Sequence, residues 1–267
     1  MPELTSSDLH NILNNLFPLM EKASQKILEI YNKPFDVVIK DDNSPVTKAD
    51  QTSNRTLING IKALTPLIPI ISEESKSMSY EERKSFTYCW IIDPLDGTKE
   101  FIKKNDEFSI NVALCHHQEI ILGIVMSPVS NEIAWAIKNQ GAFIKKNDGQ
   151  VQKLKCGPHN FDQKNLRIVT SRSHISDKTR SFIENFEEPI LIPKGSSWKF
   201  ILIASNEADY YPRPGTTMEW DTAAPQIILE EAGGSVLNLL DESKLKYNKS
   251  DLRNPEFLAK GISNESS

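Results

Sequence analysis

Acidic residues stand at the ends of two predicted buried strands, and they are the main chemical signal of the sequence. Glu73 and Glu74 follow the apolar run LIPIIS, while Asp93 and Asp96 follow the run YCWII. Carboxylates at strand exits point into the crevice where ligands of α/β folds bind. Because crowded carboxylates repel one another, they require cations, and oxygen ligands favour Mg²⁺, Mn²⁺ or Ca²⁺ over zinc. The sequence therefore predicts a site for hard divalent cations.

The segment DPLDGT at positions 93–98 adds the geometry that such a site needs. Pro94 restricts the backbone, Leu95 can offer its carbonyl between the two aspartates, and Gly97 permits a left-handed conformation. If a helix begins near Thr98, its free N–H groups can hold a phosphate. Two further carboxylates stand near predicted helix starts, Asp50 in SPVTKAD and Asp221 in WDTAA. Divalent cations beside an oxyanion site predict metal-assisted phosphoryl transfer to water.

Each acidic feature also has an ordinary structural explanation. A glutamate pair is most often part of a solvated surface, a D-x-x-D segment is commonly only a turn, and Asp221 alone fits a helix cap. The functional interpretation depends on three acidic clusters occurring together at strand or helix ends.

Composition restricts the class of protein. The chain has 267 residues, with 36 acidic and 31 basic side chains and a net charge of −5, which argues against a general nucleic-acid coat. Three cysteines without a C-x-x-C pair predict free thiols in a reducing compartment. With no signal peptide or transmembrane segment recognised, we expect a soluble cytoplasmic protein. Peripheral contact with the inner membrane stays open. The oligomeric state, monomer or homodimer, also stays open.

Predicted strands and helices alternate along the chain, which indicates an α/β fold in layers. We predict an N-terminal domain over 1–150 carrying most metal ligands and a C-terminal domain over 151–267 carrying Asp221 and the specificity residues. Pro18 is expected to kink the first helix or start a second segment. The predicted helices are 9–31, 46–64, 177–186, 199–204 and 221–232, and the predicted strands are 35–39, 67–72, 88–92, 108–115, 120–126, 132–137, 141–144, 166–170, 190–192 and 208–211.

Four segments in order, SPVTKAD, ISEES, WIIDPLDGTKEF and WDTAA, resemble the signature set of the magnesium-dependent, lithium-sensitive inositol monophosphatase family. The longer segments DNSPVTKAD, DPLDGTKEFI, SRSH, GSSWKF and YPRPGTTMEWDTAA are most similar to bacterial 3′(2′),5′-bisphosphate nucleotidases of the CysQ type, whose activity connects to sulfur metabolism. The resemblance covers nearly the whole chain. It implies a five-layer α-β-α-β-α sandwich and hydrolysis of the 3′-phosphate of adenosine 3′,5′-bisphosphate, or of its sulfated form.

The resemblance also implies a metal-ligand set. Glu73, Asp93 and the carbonyl of Leu95 are expected to hold one Mg²⁺, and Asp93, Asp96 and Asp221 the second. Except for Asp93, these ligands are also expected to border the substrate.

A third, weaker Mg²⁺ is expected near Glu74 and the attacking water. Thr98, paired with Asp50, is expected to orient and deprotonate that water. The amides of Gly97 and Thr98 are expected to bind the scissile phosphate.

A bisphosphate nucleotide needs a second anion site and a place for adenine. Lysine and arginine donate to phosphate, and a tyrosine ring can stack on a base. We predict that the C-terminal half supplies these contacts, although Tyr211 alone fits packing and Lys199 alone fits the surface. The candidates are Ser171, His174, Ser196, Ser197, Lys199, Tyr211 and Arg213.

Three other functions remain open from the sequence. An inositol monophosphatase or a fructose-1,6-bisphosphatase-like sugar phosphatase shares the metal ligands. The segment SSWK at 196–199 formally matches the S-x-x-K of penicillin-recognising serine hydrolases, although no K-T-G follows. A non-catalytic binding protein could also keep the fold.

Overall fold

The computed structural model describes residues 3–39, 45–76, 78–172 and 175–263, and it contains two large β-sheets. The helices are α1 (Ser6–Tyr31), α2 (Lys48–Leu64), α3 (Tyr80–Arg83), α4 (Thr98–Ile102), α5 (Asp177–Ile183), α6 (Trp198–Ala204) and α7 (Glu219–Glu231). The strands are β1 (Val37–Ile39), β2 (Pro45–Thr47), β3 (Ile70–Ser72), β4 (Tyr88–Asp96), β5 (Ser109–His116), β6 (Glu119–Ser127), β7 (Glu132–Ile137), β8 (Ala142–Lys145), β9 (Val151–Lys153), β10 (Pro158–His159), β11 (Arg167–Ser171), β12 (Ile190–Lys194), β13 (Tyr210–Arg213), β14 (Ser235–Asn238), β15 (Phe257–Lys260) and β16 (Ile262–Ser263).

The first sheet has seven strands in the order β3-β4-β5-β6-β7-β8-β9. Strand β3 is parallel to β4, and the other neighbours are antiparallel. Alternate residues of β4 face opposite sides, as the period of two requires. Trp90 and Ile92 pack with helices α1 and α2, whereas Cys89 and Ile91 pack toward α6 and α7.

The second sheet has five strands in the order β12-β11-β13-β15-β14. Strands β12, β11 and β13 are parallel, and β15 is antiparallel to both β13 and β14. Its inner face, including Val169 and Phe257, shares a core with α6 and α7, while its outer face, including Ile168 and Leu258, packs against residues of α5.

Helices therefore cover both sheets and also separate them. The layers are α1 with α2, the first sheet, α6 with α7, the second sheet, and α5. The α/β class and the five-layer order predicted from the sequence are confirmed.

The element boundaries differ from the prediction where local and tertiary signals conflict. Helix α1 continues through Pro18 without starting a second segment, because its apolar stripe packs along its full length. The second helix begins at Lys48 instead of at position 46, since Thr47 caps it at the end of β2. Strand β4 does not end at Asp93 but runs on to Asp96, with an irregular register between the two aspartates.

Two regions extend the sheets beyond the predicted strands. Strand β9 pairs with β8, so the first sheet reaches Lys153, past the predicted boundary at position 150. The division into two domains stays a prediction. Strands β14, β15 and β16 lie in a region for which the sequence indicated no strand.

The predicted turn at 40–45 lies outside the described residues except for Pro45. Across the described part of the chain, helices are too short or too polar to cross a lipid bilayer. Cys89, Cys115 and Cys156 are buried free thiols, as predicted.

Candidate metal and phosphate site

Three carboxylates from distant parts of the chain meet between the sheets. Asp93 and Asp96 lie on β4, and Asp221 lies in the first turn of α7. One carboxylate oxygen from each residue lies within 4.8 Å of the others. Helix α7 packs across β4, β5, β6 and β7, and this packing carries Asp221 to the strand that bears the other two. Three of the predicted ligands are therefore brought together.

The electrostatics of this cluster favour a bound cation. Burial raises the pKa of Asp93 well above its usual range, and the charges of Glu73, Asp96 and Asp221 raise it further. Burial also raises the pKa of Asp221 to about 8, with Asp96 adding to the effect. A positive charge among these groups would remove this penalty.

Single backbone hydrogen bonds fix two of these carboxylates. Asp93 Oδ1 accepts from the N–H of Leu95 at 3.0 Å, and Asp221 Oδ2 accepts from the N–H of Met218 at 2.9 Å. The second contact gives the N-cap N–H of Met218 an acceptor at the start of α7. Asp221 is thus both a helix cap and a member of the cluster.

Glu73 and Glu74 follow β3 directly, at the edge of the first sheet. Backbone pairing continues one residue past β3, since the N–H of Glu73 donates to the carbonyl of Ile92 at 3.2 Å. Glu73 lies near enough to the aspartates for its charge to raise the pKa of Asp93 and Asp221. Both glutamates are partly buried.

A threonine and an aspartate form a second group beside the cluster. Oγ1 of Thr98, the first residue of α4, lies 2.9 Å from Oδ1 of Asp50 and 3.3 Å from the carbonyl oxygen of Leu95. Asp50 is only 1% exposed, and its Oδ2 accepts from the N–H and the hydroxyl of Thr47 at 2.7 and 2.6 Å. The capping box of α2 therefore holds Asp50 in place, and its other oxygen meets Thr98.

The turn before α4 requires glycine. Gly97 has φ +91°, and a Cβ there would lie 3.1 Å from the carbonyl oxygen of Glu107 and 3.3 Å from Cβ of Ser196. The backbone at the start of α4 thus lies against a segment of the C-terminal half.

A small cavity of about 70 Å³ opens beside the carboxylates. Arg213 donates to the carbonyl of Thr216 at 3.2 Å, and its buried Nε has no hydrogen-bond partner among the described residues. The cationic side chains of Lys199 and Arg213 thus border the same cavity as the carboxylates of Asp96 and Asp221. The lining consists of Asp96, Ser196, Ser197, Lys199, Phe200, Tyr211, Arg213, Thr217, Asp221, Thr222 and Phe257.

A family model described as the inositol monophosphatase family matches residues 8–265. The chain belongs to the inositol monophosphatase family. A relative in Escherichia coli (strain K12), named 3′(2′),5′-bisphosphate nucleotidase CysQ, is 38% identical over 231 residues, covering 84% of this chain and 89% of that protein. The relative of the same name in Haemophilus influenzae is 35% identical and covers 94% of this chain and 93% of its own length.

The fold agrees with that of a solved family member. The crystal structure of CysQ from Bacteroides thetaiotaomicron, a bacterial member of the inositol monophosphatase family, superposes with a TM-score of 0.83 at 34% identity. The match covers 95% of this chain and 97% of that chain. Enzymes of this family are generally metal-dependent, and the all-oxygen donor set of Asp93, Asp96 and Asp221 fits a hard cation.

Not all of the predicted substrate residues line the cavity, and Tyr211, which does line it, is packed among other side chains. Tyr211 is 4% exposed, with Phe200 and Phe257 edge-on to its ring at centroid distances of 5.4 and 5.8 Å and Lys199 Nζ 5.2 Å from its centroid. The ring has almost no free surface in this arrangement, and its stacking on a base stays a prediction. Ser171 ends β11 away from the cavity lining, and His174 lies outside the described residues.

Asp96 is oriented by Ser197, a candidate from the sequence, and by Ser109, which the sequence had not indicated. The backbone N–H of Ser197 donates to Oδ2 of Asp96, and the Ser109 hydroxyl lies 3.4 Å from the same oxygen. The Ser197 hydroxyl contacts Ser109 Oγ at 2.9 Å and Asn111 Oδ1 at 2.7 Å. Ser109 and Asn111 are alternate polar residues at the start of a strand whose next four residues are apolar, a signal that could have identified them.

Proposed function

We propose that this protein is a magnesium-dependent 3′(2′),5′-bisphosphate nucleotidase that hydrolyses the 3′-phosphate of adenosine 3′,5′-bisphosphate to give AMP and phosphate. The observation that carries the proposal is the cavity with Lys199 and Arg213 directly beside the carboxylate cluster. One substrate therefore needs two anionic groups, one at the acidic cluster with its cations and one at the basic side chains. The relatives named 3′(2′),5′-bisphosphate nucleotidase support this substrate class.

Five groups would hold two Mg²⁺ ions in this proposal: Glu73, Asp93, the Leu95 carbonyl, Asp96 and Asp221. A third ion would bind beside Glu74. When bound, Mg²⁺ would acidify water and neutralise charge on the phosphoryl oxygens. Without cations, the carboxylates would repel the phosphate, so the same residues that bind metal make anion binding possible.

Thr98 and Asp50 would orient the attacking water and accept its proton. Oγ1 of Thr98 can accept a hydrogen bond from water while its own proton points to Oδ1 of Asp50, 2.9 Å away. The proton leaving the water can then pass through the hydroxyl to the buried carboxylate. The water oxygen bonds to phosphorus, the bond between phosphorus and the 3′-oxygen breaks, and the 3′-oxygen takes up a proton from a second water molecule, while Asp50 later returns its proton to solvent.

The second phosphate would be bound by charge and by hydroxyl donors. Lys199 and Arg213 supply the positive charge, and Ser196 lies at the same cavity, next to Gly97. The unpartnered Nε of Arg213 is a buried donor for which a phosphate oxygen is a suitable acceptor. The same contacts would accept the 5′-phosphosulfate of the sulfated nucleotide.

A substrate panel with and without Mg²⁺ tests the proposal. We expect kcat/KM for adenosine 3′,5′-bisphosphate to exceed that for inositol 1-phosphate or fructose 1,6-bisphosphate by about a hundredfold or more, because inositol 1-phosphate lacks a second phosphate and fructose 1,6-bisphosphate lacks both the nucleoside and its 3′,5′ phosphate spacing. Equal or higher activity on either sugar phosphate would favour the other family activities. No hydrolysis of any of these esters with Mg²⁺ would favour a non-catalytic protein.

A double variant tests the assignment of the cavity. Lys199→Ala with Arg213→Ala should raise KM for adenosine 3′,5′-bisphosphate by at least about tenfold, because two charged donors are lost. Lys138→Ala, which removes an exposed cation that pairs with Glu119, is the matched control and should leave KM unchanged. An unchanged KM in the double variant would contradict the assignment.

A further inference from the structure

Glu107 connects the loop after α4 to two segments of the C-terminal half. Its carboxylate accepts from Nε and Nη2 of Arg172 at 2.6 and 2.7 Å, and from the N–H of Gly195 at 2.8 Å. Lys194 Nζ lies 3.6 Å away. The Glu107 side chain is only 9% exposed, so one buried carboxylate binds a bidentate arginine and a backbone amide together.

One of the two segments held by Glu107 leads directly to the proposed substrate contacts. Arg172 follows Ser171 at the end of β11, and it also donates to the carbonyl of Pro193 at 2.9 Å. Gly195 precedes Ser196, which borders the cavity, and Ser197, whose N–H meets Asp96. The segment 193–197 is therefore held at two places. Glu107 binds the N–H of Gly195, and Asp96 binds the N–H of Ser197.

The backbone conformation shows how closely this segment is held. A Cβ at Gly195 would lie 2.8 Å from the carbonyl oxygen of Glu107, so no other residue fits there without displacement. Ser196 has φ +50°, a left-handed conformation that non-glycine residues seldom adopt. Contacts on both sides of Ser196 maintain this conformation, which sets the direction of its side chain.

The charge of Glu107 is compensated within the same group. Burial alone would raise the pKa of Glu107, but the hydrogen bonds from Arg172 and Gly195 and the charge of Lys194 lower it below its usual range. An ionised carboxylate near a phosphate site would repel the substrate without these cations. Arg172 and Lys194 thus keep Glu107 charged while limiting its repulsion of an anion.

We propose that Glu107 is a specificity-determining positioning residue, which holds segment 193–197 so that Ser196 and Lys199 can bind the second phosphate of the substrate. This inference rests on the proposed nucleotidase function. The Glu107 side chain has no described hydrogen bond to the carboxylate cluster or to the Thr98–Asp50 pair, and Asp96 and the Thr98–Asp50 pair keep their other contacts, so we expect the larger effect on recognition of the second phosphate.

Two substrates that differ only in the second phosphate test the proposal. In Glu107→Gln, we expect KM for adenosine 3′,5′-bisphosphate to rise by about tenfold, because the segment loses its charged anchor. The kcat for that substrate, and kcat/KM for adenosine 3′-monophosphate, should stay within about twofold of wild type. Glu107→Asp keeps the charge and should recover part of the bisphosphate preference.

Control variants separate specificity from folding. Glu119→Gln removes an exposed carboxylate that pairs with Lys138, and it should leave the kinetic constants for both substrates unchanged. Arg172→Lys keeps the charge but loses the bidentate contact, and it should reduce the bisphosphate preference even if Glu107→Gln folds poorly. Thermal unfolding of each variant, measured with Mg²⁺, reports whether the fold is intact.

Three results would overturn the inference. Glu107→Gln and Arg172→Lys could keep the wild-type preference for the bisphosphate, which would make the contact an ordinary ion pair. They could also lose activity on both substrates equally, which would indicate a general structural role. A wild-type enzyme that does not prefer the bisphosphate over the 3′-monophosphate would refute the proposal that the basic cavity binds a second phosphate. The inference about Glu107 would then fall as well.

Discussion

The hydroxyl of Thr98, at the start of α4, lies 2.9 Å from the buried carboxylate of Asp50, in the first turn of α2. The two residues are 48 positions apart, and each stands at a helix N-terminus. The capping box that begins α2 uses one oxygen of Asp50 and leaves the other for Thr98. A local helix signal therefore also builds part of the proposed reaction site.

Removing the Thr98 hydroxyl should slow the reaction without weakening substrate binding. We expect Thr98→Val to reduce kcat by at least about a hundredfold, because the proposed path for the proton of the attacking water is lost. Steady-state kinetics at saturating Mg²⁺ measure this effect. Thr98→Ser retains a hydroxyl and is the matched control, which should keep most of the activity. Equal kcat values for the valine and serine variants would contradict a role for the hydroxyl.

Asp96→Asn should separate activity from stability. Asparagine keeps an oxygen that can accept the N–H of Ser197, but it removes one negative charge from the cluster. We expect kcat to fall by about a hundredfold or more, while the metal-free protein unfolds at the wild-type temperature or above it. Activity assays over a Mg²⁺ titration and thermal unfolding in EDTA provide the two measurements. Wild-type activity with the same Mg²⁺ dependence would refute Asp96 as a ligand.

The metal-free protein should lose stability as the pH rises. The folded-state pKa values of Asp93 and Asp221 lie above the unfolded value, so the folded protein binds more protons across this window. The free energy of unfolding should then fall from about pH 4, near the unfolded pKa, to about pH 8, the folded pKa of Asp221. Urea unfolding in EDTA across this range measures the slope.

A variant and a metal addition identify the source of that slope. Asp221→Asn should flatten the pH dependence, since it removes one of the two groups with a raised pKa. Mg²⁺ should restore stability most strongly at the high-pH end, because it binds the ionised carboxylates. A metal-free protein that becomes steadily more stable up to pH 8 would contradict the electrostatic account of the cluster.

Glu219 should contribute strongly to stability although it lies outside the carboxylate cluster. Its side chain is 0% exposed and accepts from the N–H groups of Asn248 and Lys249 at 2.5 and 3.0 Å, and from Lys249 Nζ at 2.5 Å. Glu219→Ala leaves the two backbone N–H groups without this acceptor and removes the partner of the Lys249 charge, so we expect a loss of about 2–4 kcal/mol in the free energy of unfolding. Urea denaturation measures it. Glu119→Ala, at an exposed ion pair, should cost about 1 kcal/mol or less.

The acidic cluster could be predicted because its residues stand where regular patterns stop. Glu73 and Asp93 each follow a mainly apolar run, and Asp221 begins a helical pattern that ends at two glycines. These local signals fix the element types and place the carboxylates at their ends. The family motifs supplied the five-layer order, which alternation alone does not determine.

The remaining details depend on contacts that no local pattern encodes. The burial of Tyr211 results from Phe200 and Phe257 packing edge-on to its ring, and both lie on other elements. Glu107 has an ordinary loop sequence around it, and its importance appears only when Arg172 and Gly195 reach it across the molecule. A single sequence identifies these residues as polar or aromatic but does not state which partner each one meets.

The late position of Asp221 in the chain has a consequence for biosynthesis. Asp93 and Asp96 are translated long before α7, yet the three-carboxylate set needs α7 packed on the first sheet. A nascent polypeptide released or stalled before that helix emerges from the ribosome thus carries an incomplete donor set. Premature termination before α7 therefore yields fragments that lack this three-carboxylate set.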